Sequence, residues 1–100
     1  MTDSEQLRLE MIADAQARRM LEALGEPLTV SELAEACSMP KSTTYRKIDK
    51  LQAAGLVETK TRVARSGSHP TAYKRSVDKL EIRLGRDGAK TNLSMPASPE

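Results

Sequence analysis

Pro40 constrains this chain more than any other residue. It has no N–H to donate, so the apolar-periodic segments on either side of it must be two helices with a break between them. Before the break, "TVSE" (Thr29 to Glu32) has the Ser/Thr-x-x-Glu form of a capping box. It predicts a short helix, "SELAEAC", with Leu33, Ala34 and Cys37 turned inward. After "SMP", a longer helix runs over Lys41–Ala54 and is closed by Gly55. On a helical wheel Thr44, Ile48, Leu51 and Gly55 mark its buried side. Ser42, Arg46, Asp49 and Ala53 lie opposite, with Lys41, Thr43, Tyr45 and Lys50 on the flanks. Short helix, tight break, longer helix: this order is a helix–turn–helix.

Upstream, residues 4–13 predict a first helix whose Leu7, Leu9, Met11 and Ile12 are too crowded for a clean stripe. Asp14 suits an N-cap, and Ala17, Met20, Leu21 and Leu24 follow with the spacing of a core-facing helix. Gly25 and Pro27 end it, and Leu28 is a short extended piece. Downstream the period changes to two. "LVETKTRVAR" sets Val57, Thr59, Thr61 and Val63 against Glu58, Lys60 and Arg62, as in a half-buried strand. "SGSHP" is a loop, and "TAYKRSV" a second strand with Tyr73 available to the core. The hairpin beside the helix–turn–helix is a wing. The fold class is therefore mainly α with a small β-wing: a winged helix–turn–helix of about four helices plus an antiparallel hairpin. Its parts are an N-terminal helix (1–13), the winged domain (14–76), an additional strand and turn (77–88) and a tail (89–100). In the strand Leu80, Ile82 and Leu84 alternate, and "RDG" signals the turn. The tail lacks periodicity and carries two prolines, which predicts disorder.

Phe and Trp are absent and Tyr occurs twice, so the core must be aliphatic, with Met20 and Met39 as fillers. A single cysteine excludes an internal disulfide and a multi-thiolate zinc site. Cys37 is expected to pack as a small apolar group. With one cysteine and one histidine, neither metal nor cofactor is expected. No apolar run approaches a membrane span, and the polar, acidic start predicts no signal peptide, so the expected location is the cytoplasm. Catalysis finds no support: Asp14, Glu32 and Glu35 have capping or helix-surface explanations, and no phosphate-cradling glycine loop appears. The net charge of +2 conceals a division. Residues 1–40 carry three arginines against eight acids, net −5, whereas residues 41–75 carry nine bases against two acids, net +7. A basic block beside an acidic one is the footprint of a polyanion partner. The first turn of the helix after Pro40 presents residue types that hydrogen-bond base edges and phosphates.

The stretch "LTVSELAEACSMPKSTTYRKIDKLQAAGLVE" resembles the winged helix–turn–helix of the ArsR-like transcription regulators, especially the short archaeal proteins of haloarchaeal type. The resemblance rests on Glu32-Leu33-Ala34, on Ser42-Thr43-Thr44-Tyr45-Arg46, and on Leu51 with Ala54-Gly55-Leu56-Val57. It extends over roughly residues 13–76, and the cysteine-pair metal motif of arsenic and zinc sensors is absent. It implies double-stranded DNA as partner. The recognition-helix candidates are Lys41, Ser42, Thr43, Tyr45, Arg46, Lys47 and Lys50; the wing candidates are Lys60, Arg62, Arg65, His69 and Lys74. By the same resemblance the wing tip follows the backbone or the minor groove, and the protein pairs as a homodimer through terminal helices. Residues 4–13 are the first expectation for the pairing surface, and the strand 79–84 is the second. The expected function is sequence-specific transcription regulation; the alternative is a winged-helix module for protein or RNA partners.

Overall fold

The computed structural model describes residues 4–61 and 70–95. Helices α1 (Ser4–Ala13), α2 (Ala15–Ala23), α3 (Val30–Ala36) and α4 (Lys41–Ala53) precede strands β1 (Val57–Thr61), β2 (Thr71–Arg75), β3 (Lys79–Gly85) and β4 (Gly88–Ser94). The architecture is a winged helix–turn–helix with a second hairpin appended. β1 and β2 form the wing, running antiparallel from Val57↔Arg75 to Thr61↔Thr71. Leu28 adds a third, one-residue rung by exchanging backbone hydrogen bonds with Tyr73.

Local signals set the helix ends. Asp14 Oδ1 accepts from the N–H groups of Gln16 and Ala17 at the start of α2. At α3 the capping box closes in both directions: Glu32 N–H donates to Thr29 Oγ1, and Thr29 N–H to Glu32 Oε1. The break between α3 and α4 is a Schellman turn, with Ser38 N–H donating to the Glu35 carbonyl and Met39 N–H to that of Ala34. Ser38 holds the left-handed position at φ 54°, unusual for a residue with a Cβ. α4 ends the same way, with Gly55 at φ 78° and Leu56 N–H donating to the Leu51 carbonyl. Thr44, fully buried, donates its hydroxyl to the Pro40 carbonyl at 2.9 Å.

The core gathers the stripes expected of α2, α3 and α4: Ala17, Met20, Leu21, Leu24, Leu33, Cys37, Ile48 and Leu51. Met39, Leu56 and Val77 join them. Leu7 and Met11, expected on a pairing surface, are buried in this same core, and Ile12 packs partly against it. The unpaired carbonyls at the helix C-termini meet arginines from elsewhere in the chain. Arg18 reaches the Ile12 carbonyl of α1, and Arg75 the Leu21 carbonyl of α2 at 2.8 Å. Arg19 reaches Cys37 O, closing α3, at 2.7 Å, and Arg8 reaches Ala54 O, closing α4, at 3.2 Å. None of α1, α2 and α3 has a basic residue in its own last turn, so the cap comes from a neighbour.

Two expectations change. Beyond Val57 the first wing strand is not half-buried: Thr59 and Thr61 are exposed, because the hairpin extends past the helices that would cover it. Val63 lies outside the described residues. The tail expected to be disordered from 89 onward instead forms β4 as far as Ser94, paired with β3 from Lys79↔Ser94 to Gly85↔Gly88. Gly88, at φ 98°, helps the chain reverse direction, and α1 receives the returning strand. Residues 96–100 lie outside the described residues.

Candidate nucleic-acid interface

Packing Thr44, Ile48 and Leu51 against the core fixes the rotation of α4 about its axis. Its other side is then open. Lys41, Ser42, Tyr45, Arg46, Asp49 and Lys50 are exposed, Tyr45 at 53%, and Thr43 is half-buried. The first two turns thus present an ammonium, hydroxyls, a phenol and a guanidinium to solvent. Pro40 starts the helix without a side-chain cap hydrogen bond. Tyr45 also lines a cleft between α4 and the wing, with Ser31, Pro70, Thr71 and Tyr73. Ser31 and Thr71 are exposed hydroxyls that the sequence pattern did not single out. Only the capping box, by fixing where α3 begins, bears on where Ser31 lies.

Not every candidate faces outward. Lys47 reaches across to the start of α2, where its ammonium pairs with the Asp14 carboxylate, leaving the lysine side chain only 16% exposed. That hydrogen bond, helped by the cap N–H groups, holds the Asp14 carboxyl below its ordinary range despite partial burial. Arg75, counted in the basic block, is likewise committed, to the carbonyls of Leu21 and Val77. Lys60 is exposed on β1, and Lys74 is half-buried on β2 opposite Glu58. Arg62, Arg65 and His69 lie outside the described residues. Cys37 is buried, which pushes its thiol pKa up and leaves it a packing group. Among the described residues no group of three or more His, Cys, Asp or Glu side chains is placed to hold a metal, and no helix is long and apolar enough to cross a membrane.

Fold and exposed face together define a winged helix–turn–helix whose second helix is free to meet a partner. Residues 12–60 match a family model described as a helix-turn-helix domain. Among solved structures, NolR from Sinorhizobium fredii is similar, at 27% sequence identity and a TM-score of 0.61. The match covers 73% of this chain and 69% of that one. No curated protein matches the chain. These likenesses support a helix–turn–helix transcription regulator with DNA as the class of partner.

Proposed function

We propose that the chain is a sequence-specific transcription regulator that binds double-stranded DNA as a homodimer. α4 enters the major groove, and the wing lies on the flanking backbone or in the minor groove. The observation that carries this reading is the division of α4: Thr44, Ile48 and Leu51 are buried, while Lys41, Ser42, Tyr45 and Arg46 stand free on the N-terminal turns. An α-helix fits the major groove, and these side chains have the donors and acceptors that read base edges there. Ser42, Thr43, Tyr45 and Arg46 are the base-reading set, with Lys41, Lys50 and Lys60 as phosphate contacts. Lys47 leaves that set because Asp14 holds it. ArsR-like kinship and an archaeal source belong to the same reading, on the motif residues already quoted.

Selection of a preferred duplex from random sequence, followed by titration of Arg46→Ala against single-base variants of it, tests the proposal. The substitution should remove about 1–3 kcal/mol of discrimination at one base pair. An equal loss on every duplex would make Arg46 a phosphate contact, and the absence of any preferred duplex would overturn sequence-specific reading.

A further inference from the structure

The β3–β4 hairpin is attached to the helical body at its base and, beyond that, along the β4 edge. At its base Leu80 and Leu93, directly opposed, pack against the core. Midway along, Thr91 donates both its N–H and its hydroxyl to the Glu5 carboxylate of α1, and its Oγ1 accepts from Arg8 Nε at 2.7 Å. These bonds hold the Glu5 carboxyl below its ordinary range.

The contact also fixes the phase of the ladder. In an antiparallel pair, alternate residues exchange N–H···O bonds with the facing strand and the residues between them point these groups outward. The Thr91 N–H goes to α1, so Thr91 and its cross-strand partner Ile82 are a non-hydrogen-bonded pair. It follows that Leu80, Ile82 and Leu84 turn their main-chain groups toward the outer edge of β3. α1 covers the β4 edge. The β3 edge makes no backbone hydrogen bond to the described residues outside its own hairpin. Its apolar side chains are uncovered too, Ile82 at 43% and Leu84 at 85% exposure. A two-stranded ribbon is marginal alone, and an open edge is a template for another strand.

We propose that the β3 edge pairs with β3 of a second copy of this chain, about a two-fold axis at Ile82, to make a four-stranded antiparallel sheet. Charge selects both the occupant and the register. With the axis at Ile82, Glu81 faces Arg83 of the partner subunit and Arg83 faces the partner's Glu81. On the other face Ile82 meets the partner's Ile82, and Leu84 meets the partner's Leu80, so the two exposed apolar side chains are covered. Moving the axis to Glu81 sets Glu81 against itself and Lys79 against the partner's Arg83. Moving it to Arg83 sets that arginine against itself. An axis between two residues puts apolar side chains on the charged face. An axis at Leu80 also pairs unlike charges, Lys79 with the partner's Glu81, but it sets Ile82 against the partner's Asp78 and leaves Leu84 uncovered. Only the Ile82 axis pairs unlike charges and also keeps the apolar row matched. This surface belongs to the homodimer proposed above and is independent of DNA binding.

Sedimentation velocity of the intact chain, from low to high micromolar concentration, tests the pairing, with far-UV circular dichroism reporting the fold. The native chain should dimerise reversibly. Glu81→Arg and Arg83→Glu should each weaken association about tenfold, and the double variant should recover most of it. Ile82→Pro removes an outward N–H that the hairpin does not use, and should abolish the dimer while the dichroism is retained. A native chain that stays monomeric overturns both the homodimer and this surface. A dimer unchanged by the single variants overturns this surface alone, and a double variant as weak as either single overturns the register.

Discussion

Asp14 performs two tasks with one carboxylate: it caps α2 and holds Lys47 of α4. Asp14→Ala should therefore lower unfolding free energy by about 1–2 kcal/mol, toward the upper end for a lost N-cap, as measured by urea denaturation. The pH dependence has a definite sign. The folded pKa lies below the ordinary value of 3.8, so the stabilisation is complete above that value and is lost as pH falls through the lower folded one. The native chain should lose more stability on acidification there than Asp14→Ala does. Asp14 as a cap was legible, because a cap is a local signal between two helical stretches. Its pairing with Lys47 was not. A helical wheel places Lys47 by angle alone and says nothing of a carboxylate 33 residues away in sequence. The arginine caps escaped for the same reason: Arg8, Arg19 and Arg75 close helices that are remote from them in sequence.

At the level of elements, one Schellman turn joins α3 to α4 and a second closes α4 before the wing, with different residues in the left-handed position. Gly55 occupies it without a Cβ penalty, whereas Ser38 does so at φ 54°. Ser38→Gly should raise stability by about 0.5–1 kcal/mol, and Gly55→Ala should lower it by about 1 kcal/mol or more, both read from thermal and urea unfolding. No gain from Ser38→Gly would show that Ser38 carries no left-handed cost in this turn. The helices were legible because their caps, breaks and apolar spacing all agree. β4 was not. Ala89, Thr91 and Leu93 alternate inward with Lys90, Asn92 and Ser94 outward, a period of two that small and polar residues disguise. Contacts far along the chain, at Glu5 and Arg8, receive that strand. Thr59 and Thr61 erred the other way, since alternation in sequence implied cover that the protruding wing does not have.

For the molecule as a whole, the division of charge is the property that joins fold to partner. The acidic first 40 residues supply α1, α2 and α3, and the basic block supplies α4 and the wing. Linear charge counting overstated the free part of that block, since Lys47 and Arg75 are spent inside the fold. The distinction is measurable on DNA. Each phosphate contact releases counterions, so its loss lowers the slope of log affinity against log salt by roughly one. Lys41→Ala and Lys50→Ala, on exposed positions of α4, should each show this drop and weaken all duplexes about equally. Lys47→Ala should leave the slope within error of the native value and instead lower unfolding free energy, because it removes the partner of Asp14. Fluorescence anisotropy on a labelled duplex at several salt concentrations, with urea unfolding of the same samples, separates the two effects. A slope change for Lys47→Ala as large as that for Lys41→Ala would mean that Lys47 abandons Asp14 for phosphate on binding. The loosened α2 cap would then be part of the binding cost rather than a fixed feature of the fold.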